Sequence, residues 1–186
     1  AEGAAPVKDA VGEILAIGDR AQLTGAIAGL HTAIANPFFS VGVQADLMNS
    51  DINALYISQS GLTMGDRDYY LDPENENIRT AYKEYLGKLF RLAGIPEADI
   101  EKAVAGVMNI ETKLAEKSWS NTELRDIPAQ YNPTAKAEFE KTYDAIDWPA
   151  YYKAMGIGDF DTIIVTTKSS IANANDLMKN APLEDI

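Results

Sequence analysis

Residues 36–72 read Asn-Pro-Phe-Phe-Ser-Val-Gly-Val-Gln-Ala-Asp-Leu-Met-Asn-Ser-Asp-Ile-Asn-Ala-Leu-Tyr-Ile-Ser-Gln-Ser-Gly-Leu-Thr-Met-Gly-Asp-Arg-Asp-Tyr-Tyr-Leu-Asp, and this stretch decides how the rest of the chain is understood. Phe39, Val41 and Val43 alternate with smaller or polar residues. After a polar break at Asn49-Ser50-Asp51, a second run sets Leu55 and Ile57 on one side, the pattern of a half-buried β-hairpin. Gly61 and Gly65 bracket the turn that follows. Asp66-Arg67-Asp68 then puts a guanidinium between two carboxylates beside Tyr69 and Tyr70, which predicts a bend locked by ion pairing.

On both sides of this stretch the dominant period is helical. Residues 7–17 read as a short apolar helix, and Asp19 is an N-cap for a second helix carrying Leu23, Ile27, Leu30 and Ile34, ended by Pro37. Beyond the turn, Asp72-Pro73-Glu74 supplies a cap, a first-turn proline and an acidic start. Ile78, Tyr82, Tyr85, Leu89 and Leu92 then form one face until Gly94 stops the helix. Pro96-Glu97 opens the next, with a wide stripe of Ile100, Ala103, Val104, Val107, Ile110 and Leu114 running to about Lys117. The short join predicts antiparallel neighbours.

Shorter helices are expected at 120–125, 134–145 and 148–155, the last between Asp147 and Gly156. A brief strand at 162–166 precedes a closing helix with Ile171, Ala174 and Met178 inward. The fold class is mainly α, a multi-helix unit over residues 1–186 with one small β-hairpin or sheet element and no internal repeat or linker.

The chain has 186 residues, enough to bury a real core, and its 46% hydrophobic content is that of a globular protein. Sixteen Lys plus Arg against 28 Asp plus Glu leave a formal charge of −12, which repels phosphate backbones and anionic lipid surfaces. Nucleic acid is thereby disfavoured as a partner. No apolar run reaches membrane-spanning length, so no membrane insertion is expected from these residues. The absence of cysteine removes disulfides and thiol chemistry without fixing a compartment.

Several constellations suggest chemistry and are better explained structurally. Asp66, Asp68 and Asp72 resemble the start of a calcium loop, but Tyr70 stands at a ligand position, Leu71 replaces the required Gly and Asn77 replaces the bidentate Glu. His31 is the only histidine, lies within a helix, and has no Ser or Cys partner signal. Gly25 and Gly29 allow a close backbone approach. Phe38, Phe39, Tyr56, Tyr69, Tyr70, Tyr82, Tyr85, Trp119, Trp148, Tyr151 and Tyr152 are assigned mainly to packing rather than to a peptide groove. Glu111 and Glu116 are five residues apart on a helix, diverge in direction and are expected to be solvated, so they make no acid and base pair. No catalytic or metal-binding residue is assigned.

The central stretch resembles the non-catalytic lobe of the neprilysin-like zinc metalloendopeptidases, whose Gln-x-Gly-Leu-x-x-x-x-Arg-Asp-Tyr-Tyr pattern is matched by Gln59, Gly61, Leu62, Arg67, Asp68, Tyr69 and Tyr70. Arg125-Asp126 followed by Tyr131-Asn132 resembles a family connection between helices, and Ile163-Ile164-Val165 resembles the strand that closes this part of the lobe. In one place the chain departs from the pattern: Met64-Gly65 stands where bacterial relatives usually have Leu-Pro. The His-Glu-x-x-His helix that such an enzyme needs is absent from these residues.

The resemblance implies a fragment of the N-terminal helical lobe of a bacterial member, with zinc in the parent enzyme and none held by the fragment. It implies the catalytic lobe of the same polypeptide as partner, oligopeptides as substrates and an extracytoplasmic setting. The lobe itself would be non-catalytic, covering the active-site cavity and restricting access. A free-standing helical peptide-binding or adaptor domain is the alternative.

Overall fold

The computed structural model describes residues 5–33 and 35–186, so the expected inward position of Ile34 lies outside the described residues. Among the described residues eight α-helices surround one small sheet: α1 (Lys8–Leu15), α2 (Leu23–Thr32), α3 (Asp68–Leu71), α4 (Glu76–Ala93), α5 (Glu97–Lys117), α6 (Lys136–Thr142), α7 (Trp148–Met155) and α8 (Lys168–Asn180). The strands are β1 (Phe39–Ala45), β2 (Asn53–Gln59), β3 (Pro133–Ala135) and β4 (Thr162–Val165). They lie in the order β1-β2-β4-β3. β1 and β2 pair antiparallel from Phe39 opposite Gln59 to Ala45 opposite Asn53, β4 runs parallel to β2, and β3 returns antiparallel to β4.

Helix boundaries follow their signals. The Asp19 carboxylate accepts from Gln22 N, and the Gln22 side chain answers to the Asp19 backbone, a reciprocal box that opens a 3-10 turn into α2. Asp72 accepts from Glu74 N at 2.8 Å before the Pro73 turn that leads into α4. Gly94 ends α4 at φ 87°, where an L side chain is disfavoured. Asp147 caps α7 through Ala150 N at 3.0 Å, and Gly156 closes it at φ 67°.

The main core forms where the sheet meets α2, α7 and α8. Phe39, Ile57, Ile163 and Val165 from the strands pack with Phe139, Trp148 and Tyr151, all almost fully enclosed. Each such side chain contributes about 1.5–3 kcal/mol on leaving water. A second cluster gathers Tyr70, Tyr82, Leu86 and Ala115 between α3, α4 and α5, and Leu62 packs against both.

The structure corrects several expectations. The segment 134–145 begins as strand β3 and only then becomes α6, because β4 offers Pro133–Ala135 a ladder. The segment 120–125 forms just a 3-10 turn at Glu123–Arg125. On α4 the inward face is Tyr82, Leu86 and Gly87, whereas Tyr85, Leu89 and Leu92 are 55%, 42% and 73% exposed. The helix is rotated so that Tyr82 reaches a buried partner on α5. Among the described residues no helix is long and apolar enough to cross a membrane.

Candidate functional site

Gln59, the last residue of β2, binds at both ends of its amide. Its Nε2 donates to Trp119 O at 2.9 Å, and its Oε1 accepts from Trp119 N at 2.8 Å and from Ser170 Oγ at 2.9 Å. A single side chain thus fastens the end of the sheet to the segment after α5 and to the start of α8. Two residues on, Gly61 adopts φ 90° and passes so close to Phe38 that an added Cβ would sit 2.8 Å from Phe38 N. Phe38 itself holds φ 63°, the only positive value among the described residues outside glycine.

The turn that follows is locked differently from the expected ion pairing. Arg67 donates Nη1 to Ser118 O at 2.8 Å, beyond the end of α5, rather than to the neighbouring aspartates. Asp66 accepts from Asp68 N at 3.0 Å and from Asn121 Nδ2. The backbone oxygens of Asp68 and Tyr69 are held by Asn75 and Arg79, each at 3.0 Å. Gly65 has φ 88°, a value closed to proline and open to glycine.

Tyr70 points inward and leads to the residue that sequence reasoning placed wrongly. Glu111 is only 8% exposed, and its carboxylate accepts from Tyr70 Oη at 2.8 Å, Tyr82 Oη at 3.1 Å and Thr63 Oγ1 at 2.6 Å. It joins the turn, α4 and α5 at one point. Burial raises the Tyr70 and Tyr82 hydroxyls well above the usual tyrosine range, and the Glu111 charge adds to the effect, so both remain donors. The available signal was its place in the stripe of Ile110, Leu114 and Ala115. The hydroxyl partners lie 29 to 48 residues away and carry no local periodicity.

The second group lies apart from this knot. Tyr131 donates to Asp46 at 3.0 Å, and Asp46 also accepts from Met48 N and Asn49 N, shaping the loop between β1 and β2. Asn132 donates to Ala129 O, while its own carbonyl accepts from Val165 N at 3.0 Å. Asp126 accepts from Ala129 N. Arg125 is exposed on the 3-10 turn. The Asp46 contribution was not foreseen.

His31 is 7% exposed, with Nδ1 2.6 Å from Tyr151 Oη and its ring edge-on to Phe39 at 4.9 Å. These surroundings fit a packed core imidazole and do not fit zinc. Among the described residues no three His, Cys, Asp or Glu side chains converge on a metal position. Two cavities adjoin Phe38. One of about 350 Å³ is walled by Leu30, Phe38, Ile110 and Leu114 with Thr63 and Glu111 at one side. The other, of about 580 Å³, reaches Ile14, Ile17 and Phe90. In the first, the Thr63 hydroxyl and the Glu111 carboxylate are engaged with each other at 2.6 Å.

Comparison with known proteins accords with this architecture. The mouse endothelin-converting enzyme 1 is 32% identical over 151 residues, covering 78% of this chain and 20% of the enzyme. The human enzyme of that name is 34% identical over 151 residues, covering 77% and 19%. Among solved structures, the Mycobacterium tuberculosis zinc metalloprotease Zmp1 in its open state superposes with TM-score 0.91 at 24% identity, over 99% of this chain and 29% of that one. PepO from Lactobacillus rhamnosis superposes with TM-score 0.76 at 18% identity, over 99% and 29%. The chain therefore spans about a fifth of the curated relatives and under a third of these structures. The family model described as Peptidase family M13, in its N-terminal part, matches residues 1–186, and the chain belongs to that family.

Proposed function

We propose that residues 1–186 form one non-catalytic helical lobe of a zinc metalloendopeptidase that hydrolyses oligopeptides. In this reading the zinc and the general base would lie on the catalytic lobe of the same polypeptide, and the metal would supply the activation of water for peptide hydrolysis. The lobe covers the cavity, admits oligopeptides and excludes folded proteins, in an extracytoplasmic setting. The observation that carries the reading is the family match along residues 1–186.

The test uses a polypeptide that contains this chain together with a His-Glu-x-x-His segment. One zinc per polypeptide, chelator-sensitive cleavage of short peptides and resistance of a folded protein of similar sequence are expected. Cleavage of peptides by the 186-residue chain alone would overturn the reading, as would equal cleavage of folded and unfolded substrates by the longer polypeptide.

A further inference from the structure

We propose that the outer edge of β1 is a docking site for an extended cationic peptide, which joins the sheet as an additional strand. Among the described residues β1 ends the sheet, with β2 on one side only. The direction of its backbone groups is fixed by two hydrogen bonds. Asp46 N donates to Ile52 O at 2.9 Å, one step beyond the Ala45 and Asn53 pair, so in an antiparallel ladder Gln44, Gly42 and Ser40 also face β2. Thr166 N donates to Ile57 O at 3.0 Å, which turns Ile57, the partner of Val41, away from β1. Both observations leave the N–H and C=O groups of Val41, Val43 and Ala45 directed outward.

The two ends of the sheet contrast. β3 has three residues and starts with Pro133, a blunted edge. β1 has seven, Phe-Ser-Val-Gly-Val-Gln-Ala, with no charge, no proline and no lysine. Gly42, Val43, Gln44 and Ala45 are exposed, and no atom lies within 4 Å of where a Gly42 Cβ would stand. A strand can therefore approach from the side and lay a side chain across Gly42. Val43 continues the core face past the end of the core and is 63% exposed, an apolar lip for the incoming chain.

Charge selects the occupant. The chain carries −12, so a second copy or an acidic peptide meets repulsion while a basic one is attracted. This inference rests on the proposed function only in regarding such a peptide as a substrate. Strand pairing is measured without hydrolysis, so its failure leaves that reading standing.

The probe is the acetylated and amidated peptide Lys-Val-Lys-Val-Lys-Val, titrated into the 186-residue chain. Amide exchange at Val41, Val43 and Ala45 is expected to slow by about fivefold or more, with no added protection at Gly42 and Gln44. V43P removes one outward donor and no ladder bond, and it should weaken binding by about three- to tenfold with the circular dichroism spectrum unchanged. V43K, which retains the backbone donor but adds a repelling charge, should weaken the cationic probe similarly. It decides the matter if V43P does not fold. Binding unaffected by V43K, or absence of protection in the unsubstituted chain, overturns the proposal. So does a concentration-dependent dimer abolished by V43K, which would assign the edge to a second copy.

Discussion

Tyr70 donates its hydroxyl to Glu111 at 2.8 Å while accepting the Met64 backbone N–H at 2.9 Å, so one buried oxygen connects the turn to the middle of α5. With Tyr82 and Thr63 on the same carboxylate, removal of Glu111 strands several polar groups at once. Glu111→Ala should lower unfolding free energy by about 2–4 kcal/mol, and Tyr70→Phe by about 1–2 kcal/mol. Chemical denaturation measures both. In the double variant the losses should fall short of their sum, because each removes part of the same network. Strict additivity would show that Glu111 does not depend on Tyr70.

Gly61 and Gly65 separate two causes of glycine dependence. Both have φ near 90°, at 90° and 88°, but an added Cβ at Gly61 would meet Phe38 N at 2.8 Å, whereas at Gly65 nothing lies within 4 Å. Gly65→Ala should cost about 1 kcal/mol for the left-handed backbone alone. Gly61→Ala adds a clash with backbone that cannot swing aside, and a loss of about 3 kcal/mol or more is expected. Equal melting temperatures for the two variants would refute the distinction.

The same pair shows what could be read from sequence. Gly61 and Gly65 marked the turn, and the hairpin, the Asp72-Pro73 start and the Gly94 stop were legible because each depends on a few adjacent residues. Glu111 was not, since its burial depends on three hydroxyls supplied by distant segments, and a carboxylate in a helix normally faces water. Arg67 illustrates a further limit. Its neighbours in sequence are aspartates, yet a long side chain reaches past them to Ser118 O, where a carbonyl at a helix end needs a donor. Strand β3 was missed because three residues have no period, and only β4 makes them a strand.

Gln59 invites a test of amide polarity. Nε2 donates to Trp119 O while Oε1 accepts from Trp119 N and Ser170 Oγ. Gln59→Glu retains the acceptor and turns the donor into a second oxygen facing a carbonyl. It should destabilise by about 2–3 kcal/mol, comparable to Gln59→Ala despite its closer shape. Thermal unfolding of the two variants at neutral pH distinguishes this from a packing role, in which Glu would be nearly silent.

His31 supplies a pH dependence that can be isolated, because it is the only histidine. Burial holds its pKa below the ordinary value of 6.5, and the backbone at Pro37 and Phe39 offsets only part of that shift. The unfolded chain consequently takes up the proton first as pH falls. The stability this gives is fully present above about pH 6.5 and is lost as pH drops toward the folded-state value. The melting temperature should therefore decline from about pH 7.5 to 5.5, before most exposed carboxylates titrate. His31→Phe should flatten that decline while leaving Tyr151 Oη without its 2.6 Å partner, so the variant starts from a lower melting temperature at pH 7.5. A slope that survives the substitution would place the titrating group elsewhere. An imidazole resonance that titrates above 6.5 in the folded chain would reverse the sign of the argument.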